Sequence, residues 1–348
     1  MKENPFTLTF GKVPSHFISR PVEFGEIISN FVQDPPSIQT YLITGVRGSG
    51  KTALLAHVCS SLEEKNDWIV VDINPEKDIL TSLASKLYEK GKAKHLFLKM
   101  NLSLSFQGIS LSVSGGNPII DSETILEKLL GEMKKAKRKV LIAIDEVSNS
   151  EHMRVFAHTF QTLLRQDMPV YLLMTGLYEN VKALQNQKSL TFLYRAPAID
   201  LKPLDLESIA VSYQSVLSVD RVASVSFAKL TCGYAFAYQT LGFLLYQEEK
   251  TVVDEELLTE FDEYLRKYVY DKIWEDTPLG ERKILMAISS RGSKTKEILE
   301  RADCAREDYA SYRDRLMKKG ILESPAYGYI RFALPRFYEF LLKKRDFA

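Results

Sequence analysis

The most constraining feature of this chain is Gly45-Val46-Arg47-Gly48-Ser49-Gly50-Lys51-Thr52, a match to GxxxxGK[ST]. An apolar run, Tyr41-Leu42-Ile43-Thr44, precedes it, and an apolar-periodic stretch, Ala53 to Leu62, follows it. Buried strand, glycine loop and helix form the context in which this pattern has a mechanism. The glycines let successive backbone N–H groups turn inward. The helix N-terminus adds the positive end of its dipole, so the loop suits a phosphate chain. Lys51 is expected to reach the β- and γ-phosphates of ATP and the Thr52 hydroxyl to ligate Mg²⁺, with Gly45 to Gly50 and Ala53 completing the cradle. The alternative is a chance glycine turn, which the flanking strand and helix disfavour.

The surrounding chain alternates short apolar runs with helical periodicity from 41 to 201. The further runs are Trp68 to Val71, Val140 to Ile144, Val170 to Met174 and Ala198 to Leu201. Near-continuous apolar runs are the signature of strands buried on both faces of a parallel sheet, so the first domain is expected to be α/β with crossovers. The run Val140 to Ile144 ends in Asp145-Glu146, as a Walker B strand does. Asp145 is expected in the Mg²⁺ shell and Glu146 as the group that polarises the attacking water. Thr175, at the end of the next run, is either a polar sensor beside the γ-phosphate or a threonine that merely ends a strand.

One segment breaks this rhythm. Leu102, Leu104 and Phe106 alternate with serines, the phase reverses at Gln107-Gly108, and Ile109, Leu111 and Val113 resume the alternation. Period two around a glycine-containing turn predicts a hairpin pairing Phe106 with Ile109, Leu104 with Leu111 and Leu102 with Val113. The hairpin forms an insert at about 100–116.

Residues 204–276 read as a helical lid and a connecting helix, and 277–348 as three helices, a hairpin and a final helix. That last region is expected to be a helix-turn-helix variant with a wing. The chain's 46 Lys and Arg against 45 Asp and Glu exclude a uniformly basic nucleic-acid binder, but from Pro278 onward the balance is +6. Arg313, Arg315, Lys318 and Lys319 on the third of these helices and Arg331 on the wing are candidate contacts to duplex DNA. Protein contact or a pure scaffold role is the other reading of the same helix. Three scattered cysteines make neither a disulfide framework nor a metal site. The N-terminus lacks an apolar signal core and no run reaches membrane-spanning length, so the expected location is the cytoplasm, with no membrane partner.

These residues resemble the AAA+ ATPases of the origin-recognition type and the related bacterial and archaeal stand-alone ATPases. The resemblance runs over nearly the whole chain. It includes Asn4-Pro5-Phe6 with Phe10-Gly11, the box Ser19-Arg20-Pro21-Val22-Glu23, both Walker motifs, the Thr175 position, the lid and the terminal domain. It implies a P-loop NTPase sheet of order 5-1-4-3-2, a domain of residues 1–203, a lid at 204–276 and a winged helix at 277–348. It also implies that Arg20 and Glu23 lie near the nucleotide base, and that Arg195, before the fifth strand, is an arginine finger acting on a neighbouring subunit. An ordinary ion pair of Arg195 with Asp200 or Asp205 is the competing reading.

The lid departs from the pattern. The expected helix Cys232 to Gln239 resembles the family's sensor 2 region, yet no arginine occurs between Arg221 and Arg266. The implied activity is slow ATP hydrolysis whose nucleotide state controls the winged helix. The alternative is a switch with little turnover, working through a protein partner or self-association.

Overall fold

The computed structural model describes residues 4–8, 16–90, 102–105, 110–113, 122–187 and 190–345. The chain divides into two compact units. One comprises Pro21–Thr44 and Leu54–Asp200; the other comprises Met1–Arg20, Gly45–Ala53 and Leu201–Ala348.

The first unit is built on a parallel sheet. Its strands are β1 (Thr40–Thr44), β2 (Trp68–Ile73), β5 (Lys139–Ile144), β6 (Val170–Gly176) and β7 (Ala198–Asp200), in spatial order β2-β5-β6-β1-β7. Counting the hairpin strands β3 and β4 apart, this is the order 5-1-4-3-2 that the resemblance implies. The strands are buried on both faces, which explains their continuous apolar runs. One face carries Val71, Ile142 and Leu172 against α3 (Ile79–Glu89), α4 (Ser122–Lys135) and α5 (Glu151–Arg165). The other carries an aromatic cluster in which Trp68 and Tyr171 lie 4.7 Å apart and Phe31, from α1 (Pro21–Val32), packs on both. His57, on α2 (Lys51–Glu63), stacks on Phe24 at 4.2 Å, as a packing residue does.

The strands β3 (Leu102–Ser105) and β4 (Ser110–Val113) pair antiparallel with Leu102 opposite Val113 and Leu104 opposite Leu111, the register read from the alternation. Phe106, Ile109 and the turn at Gln107-Gly108 lie outside the described residues, as do Phe10 and Gly11.

The second unit is mostly helical. Helices α8 (Leu206–Leu217), α9 (Arg221–Thr231), α10 (Ala235–Gln247) and α11 (Glu255–Leu265) lead through one π-helical turn, Arg266–Tyr270, into α12 (Asp271–Glu275). Aspartates start three of them: Asp205, Asp220 and Asp254 accept from the backbone N–H of Ser208, Ala223 and Leu257. The N-terminal lead-in docks here. Phe6 is 1% exposed and packs among Tyr213 and Tyr238. Asn4 donates to the Phe243 carbonyl at 3.0 Å.

The expected helix from Cys232 starts instead at Ala235. Cys232 and Gly233 both take left-handed backbone, φ 49° and 74°, so they turn the chain between α9 and α10. Gly233 is required there, because a Cβ would lie 2.5 Å from the Leu204 carbonyl oxygen.

The C-terminal region runs α13 (Leu279–Ala287), β8 (Ser293–Lys294), α14 (Thr295–Ala302), α15 (Arg306–Lys318), β9 (Leu322–Ala326), β10 (Tyr329–Phe332) and α16 (Phe337–Arg345). A three-stranded sheet forms in the order β8-β10-β9. Three helices, a hairpin and a final helix are the elements expected, and β8 is added to them. The lid and this region share one buried core, which runs from Tyr213 and Leu241 to Ile284, Leu316 and Phe337.

Candidate functional site

In the first unit, parallel strands put the C-terminal ends of β1, β5 and β6 on one edge of the sheet: Ile43 pairs with Thr175, and Ile144 with Met174. Asp145 and Glu146 leave β5 at that edge. Thr175 is fully buried and makes two contacts at once. Its hydroxyl donates to Asp145 Oδ1 and accepts from the Glu146 backbone N–H at 3.1 Å. Val147 N–H then bonds the Thr175 carbonyl at 2.8 Å. Glu146 itself is held in left-handed backbone, φ 55°, with its side chain exposed. For a non-glycine residue this backbone costs about 1–2 kcal/mol, and the two bonds to Thr175 offset it. A threonine one strand away thus orients one acid and fixes the backbone of the other.

The second unit contains the glycine loop. Lys51 is 8% exposed, and its ammonium donates to the carbonyls of Gly45 and Val46 at 3.1 and 3.0 Å. The cation therefore sits inside the curl of the loop. Ser49 N–H closes a turn on Val46 at 3.1 Å, while the buried Ser49 hydroxyl has no hydrogen-bond partner among the described residues. Arg20 donates to the Ser49 carbonyl at 3.2 Å, so it lies on the loop itself. Glu23 lies half-buried in the first turn of α1, in the other unit.

The loop is gripped from outside by residues of its own unit. Tyr234 O–H donates to the Arg47 carbonyl at 2.5 Å, and Phe236 N–H donates to the Gly48 carbonyl at 3.1 Å. Gly48 has φ 77°, and a Cβ there would lie 2.3 Å from the Tyr234 hydroxyl oxygen. Both the backbone and the close approach exclude a side chain. Arg47 reaches Asp276 at 4.0 Å, and Val46 packs beside Gly320. Burial pushes the Tyr234 hydroxyl pKa up, with the Arg47 charge opposing it, so it stays a protonated donor.

A curled glycine loop, a buried lysine within it and an orphaned hydroxyl suit a phosphate chain. A threonine hydroxyl such as that of Thr52, in this unit, is a hard oxygen donor of the kind that Mg²⁺ takes, as is a carboxylate such as that of Asp145 in the other unit.

Arg195 ends α7 (Thr191–Arg195), where β7 begins, at the end of the sheet opposite to Asp145 and Glu146. It is exposed and makes no ion pair among the described residues. It lines a groove of about 320 Å³ with Ser37, Thr40, Gln161 and Phe192. Asp205, one suggested partner, caps α8 instead, bonding Ser208 N–H at 2.8 Å.

The C-terminal cations are paired within their own region. Glu281, on α13, is 0% exposed and receives Arg315 Nε at 2.6 Å and Lys319 Nζ at 2.7 Å. Arg313 pairs with Asp314 at 2.7 Å, and Arg331 with Glu323 at 2.5 Å. Lys318 lies in the last turn of α15. Burial lowers the pKa of Lys319.

The sequence reading passed over Tyr234 and the carboxylate that gathers Arg315 and Lys319. For Tyr234 a signal existed: the glycine turn Cys232-Gly233 directly before it. For Glu281 none did, since its partners lie 34 and 38 residues away.

Residues 17–174 match the family described as an ATPase domain predominantly from Archaea. Residues 267–341 match a domain of unknown function. No curated protein matches the chain. Among solved structures, the Walker-type ATPase PABY2304 of Pyrococcus abyssi is similar over 94% of this chain and 96% of its own, with TM-score 0.65 and 15% identity. The ORC2 protein of Aeropyrum pernix is similar over 98% of both chains, with TM-score 0.61 and 14% identity. Cdc6p of Pyrobaculum aerophilum is similar over 97% of both, with TM-score 0.50 and 14% identity. Residues 17–174 thus match an ATPase domain family found predominantly in Archaea, in a chain whose fold is similar to the folds of the Pyrococcus Walker-type ATPase and the Aeropyrum ORC2 protein.

Proposed function

We propose that this protein binds Mg·ATP and hydrolyses it slowly to ADP and phosphate. Nucleotide state then sets the conformation of the lid and the C-terminal region, which act on a protein partner. The observation that carries this reading is the Thr175 bridge, which holds Asp145 and the backbone of Glu146 together at the end of β5. Two acids organised this way, in a chain with a complete glycine loop, fit hydrolysis by water rather than transfer to a small acceptor. The Aeropyrum ORC2 structure, described as ADPNP-ADP complexes, supports a nucleoside phosphate as the ligand.

In this reading the loop amides and Lys51 hold the β- and γ-phosphates. Thr52 and Asp145 would hold Mg²⁺, which supplies charge neutralisation on the phosphate oxygens when bound. Glu146 accepts a proton as the water oxygen bonds to the γ-phosphorus, and the bond to the ADP oxygen breaks. Lys51 offsets the charge that develops on the phosphate oxygens. Arg195, exposed at the far end of the sheet from the acids of its own chain, suits a role toward a second subunit's phosphates.

The internal ion pairs favour protein over duplex DNA as the partner of the C-terminal region. A phosphate contact by Arg315 or Lys319 would strip the buried Glu281 of its counter-charges, which is costly. The test is a titration of Mg·ADP and Mg·ATP into wild-type protein and Lys51→Ala. Saturable binding by the wild type that Lys51→Ala lacks supports the nucleotide reading. Equal binding by both removes the loop from the role.

A further inference from the structure

We propose that Tyr234 is a positioning residue for the phosphate cradle, taking over from the lid side a task that no arginine in this lid performs. The proposal rests on the nucleotide reading above and names a residue to which that reading gives no part.

The peptide unit is planar and trans, so its C=O and N–H point in opposite directions. Tyr234 O–H bonds the Arg47 carbonyl. The N–H of the same peptide, on Gly48, is thereby turned away from Tyr234. Among the described residues, the Gly48 N–H has no acceptor. Phe236 N–H fixes the next carbonyl, that of Gly48, from the same direction. Two successive peptides are therefore fastened by their oxygens to the start of α10, and the first leaves its donor available.

Several features make this an arrangement specific to Tyr234. The residue is 4% exposed, so little of it is open to water. Its position is set by the left-handed turn at Cys232 and Gly233 and by the Tyr234 N–H to Thr231 carbonyl bond at 2.9 Å. Gly48 leaves no room for a side chain between the two. Without the hydroxyl, the Arg47 carbonyl loses its partner and the peptide is free to rotate. Only the fraction of loops with the donor correctly aimed then binds phosphate, and the apparent dissociation constant rises by the inverse of that fraction.

By linkage, whatever Tyr234 contributes to nucleotide affinity, the nucleotide returns to the attachment of the lid turn. The lid thereby senses an occupied cradle through one hydrogen bond.

The experiment compares Mg·ADP and Mg·ATP affinity for wild type, Lys51→Ala and Tyr234→Phe by titration calorimetry. Hydrogen exchange of segments 45–52 and 231–238 is followed in parallel. Tyr234→Phe keeps the ring and removes one oxygen. The expected result is about fivefold or greater weakening for both nucleotides, the equivalent of one neutral hydrogen bond. Exchange of 45–52 in the unliganded variant is expected to be faster. In wild type alone, Mg·ADP is expected to slow exchange in both segments together, an arm that does not depend on the variant folding. If wild type and Tyr234→Phe bind within twofold while Lys51→Ala does not bind, Tyr234 is a packing residue and the nucleotide reading stands. Protection of 45–52 by ADP with 231–238 unchanged also overturns the proposal. If wild type binds neither nucleotide, the nucleotide reading falls and the role of Tyr234 falls with it.

Discussion

Replacing Thr175 by valine keeps the shape of a fully buried side chain and removes one oxygen atom. That oxygen serves both the Asp145 carboxylate and the Glu146 backbone N–H, so two interactions disappear together. A hydrogen bond to a charged group contributes about 1.5–3 kcal/mol and a neutral one about 1 kcal/mol. The Asp145 bond belongs to the first class and the Glu146 N–H bond to the second. Their combined loss is about 2.5–4 kcal/mol. Glu146 is exposed, so water recovers part of its share, and about 2–3 kcal/mol remains to hold the pair in place. At 1.36 kcal/mol per decade, turnover should fall roughly 30- to 150-fold. Nucleotide affinity should fall much less, because the loop is untouched. Phosphate release at saturating Mg·ATP measures the first quantity and calorimetry with Mg·ADP the second. Thr175→Ser, which keeps the hydroxyl, should stay within about fivefold of wild type. A valine variant that turns over at the wild-type rate would refute the bridge, as would a serine variant as impaired as valine.

Glu281→Ala leaves two cations facing a cavity in the C-terminal core. It should lower stability by about 3 kcal/mol, read as a shift of the denaturant midpoint, and an unshifted midpoint would show that the triad is not structural. Wild-type protein should show little binding to duplex DNA at about 0.15 M ionic strength, with a salt slope well below the roughly 3.6 that four phosphate contacts would give. Tight binding with a steep slope would return Arg313, Arg315, Lys318, Lys319 and Arg331 to the DNA role. Specific activity should rise with protein concentration, and Arg195→Ala mixed with Lys51→Ala should recover activity, since each supplies what the other lacks. Flat activity on dilution, without complementation, would leave Arg195 outside the chemistry.

The five strands of the parallel sheet were readable from sequence because each is a short apolar run of residues close together in the chain, whereas their spatial order followed only from the resemblance to a known family. The hairpin register was readable for a related reason. Strict alternation of Leu102, Leu104, Leu111 and Val113 leaves one pairing that keeps the apolar residues on one face. The lid helix was misplaced at its start. Apolar residues run through Cys232 to Phe236, and periodicity does not register that Cys232 and Gly233 adopt left-handed backbone. β8 is two residues long, too short for any periodic signal. Long-range polar partners were the largest gap. Composition reports how many cations the C-terminal region holds, but whether Arg315 and Lys319 face solvent or the buried Glu281 is decided by the packing of α13 on α15. Thr175 was placed correctly at a strand end, while its hold on both acids follows only from parallel register between β5 and β6.

The central claim is that Glu146 activates water on a nucleotide held by the glycine loop. It is tested most directly by single-turnover hydrolysis of Mg·ATP by wild type and Glu146→Gln, with ATP affinity measured on the same samples. The account predicts ATP affinity preserved within a fewfold and hydrolysis slowed about a hundredfold or more, because the loss of a positioned general base costs roughly two to four decades. Hydrolysis by Glu146→Gln at the wild-type rate would contradict it.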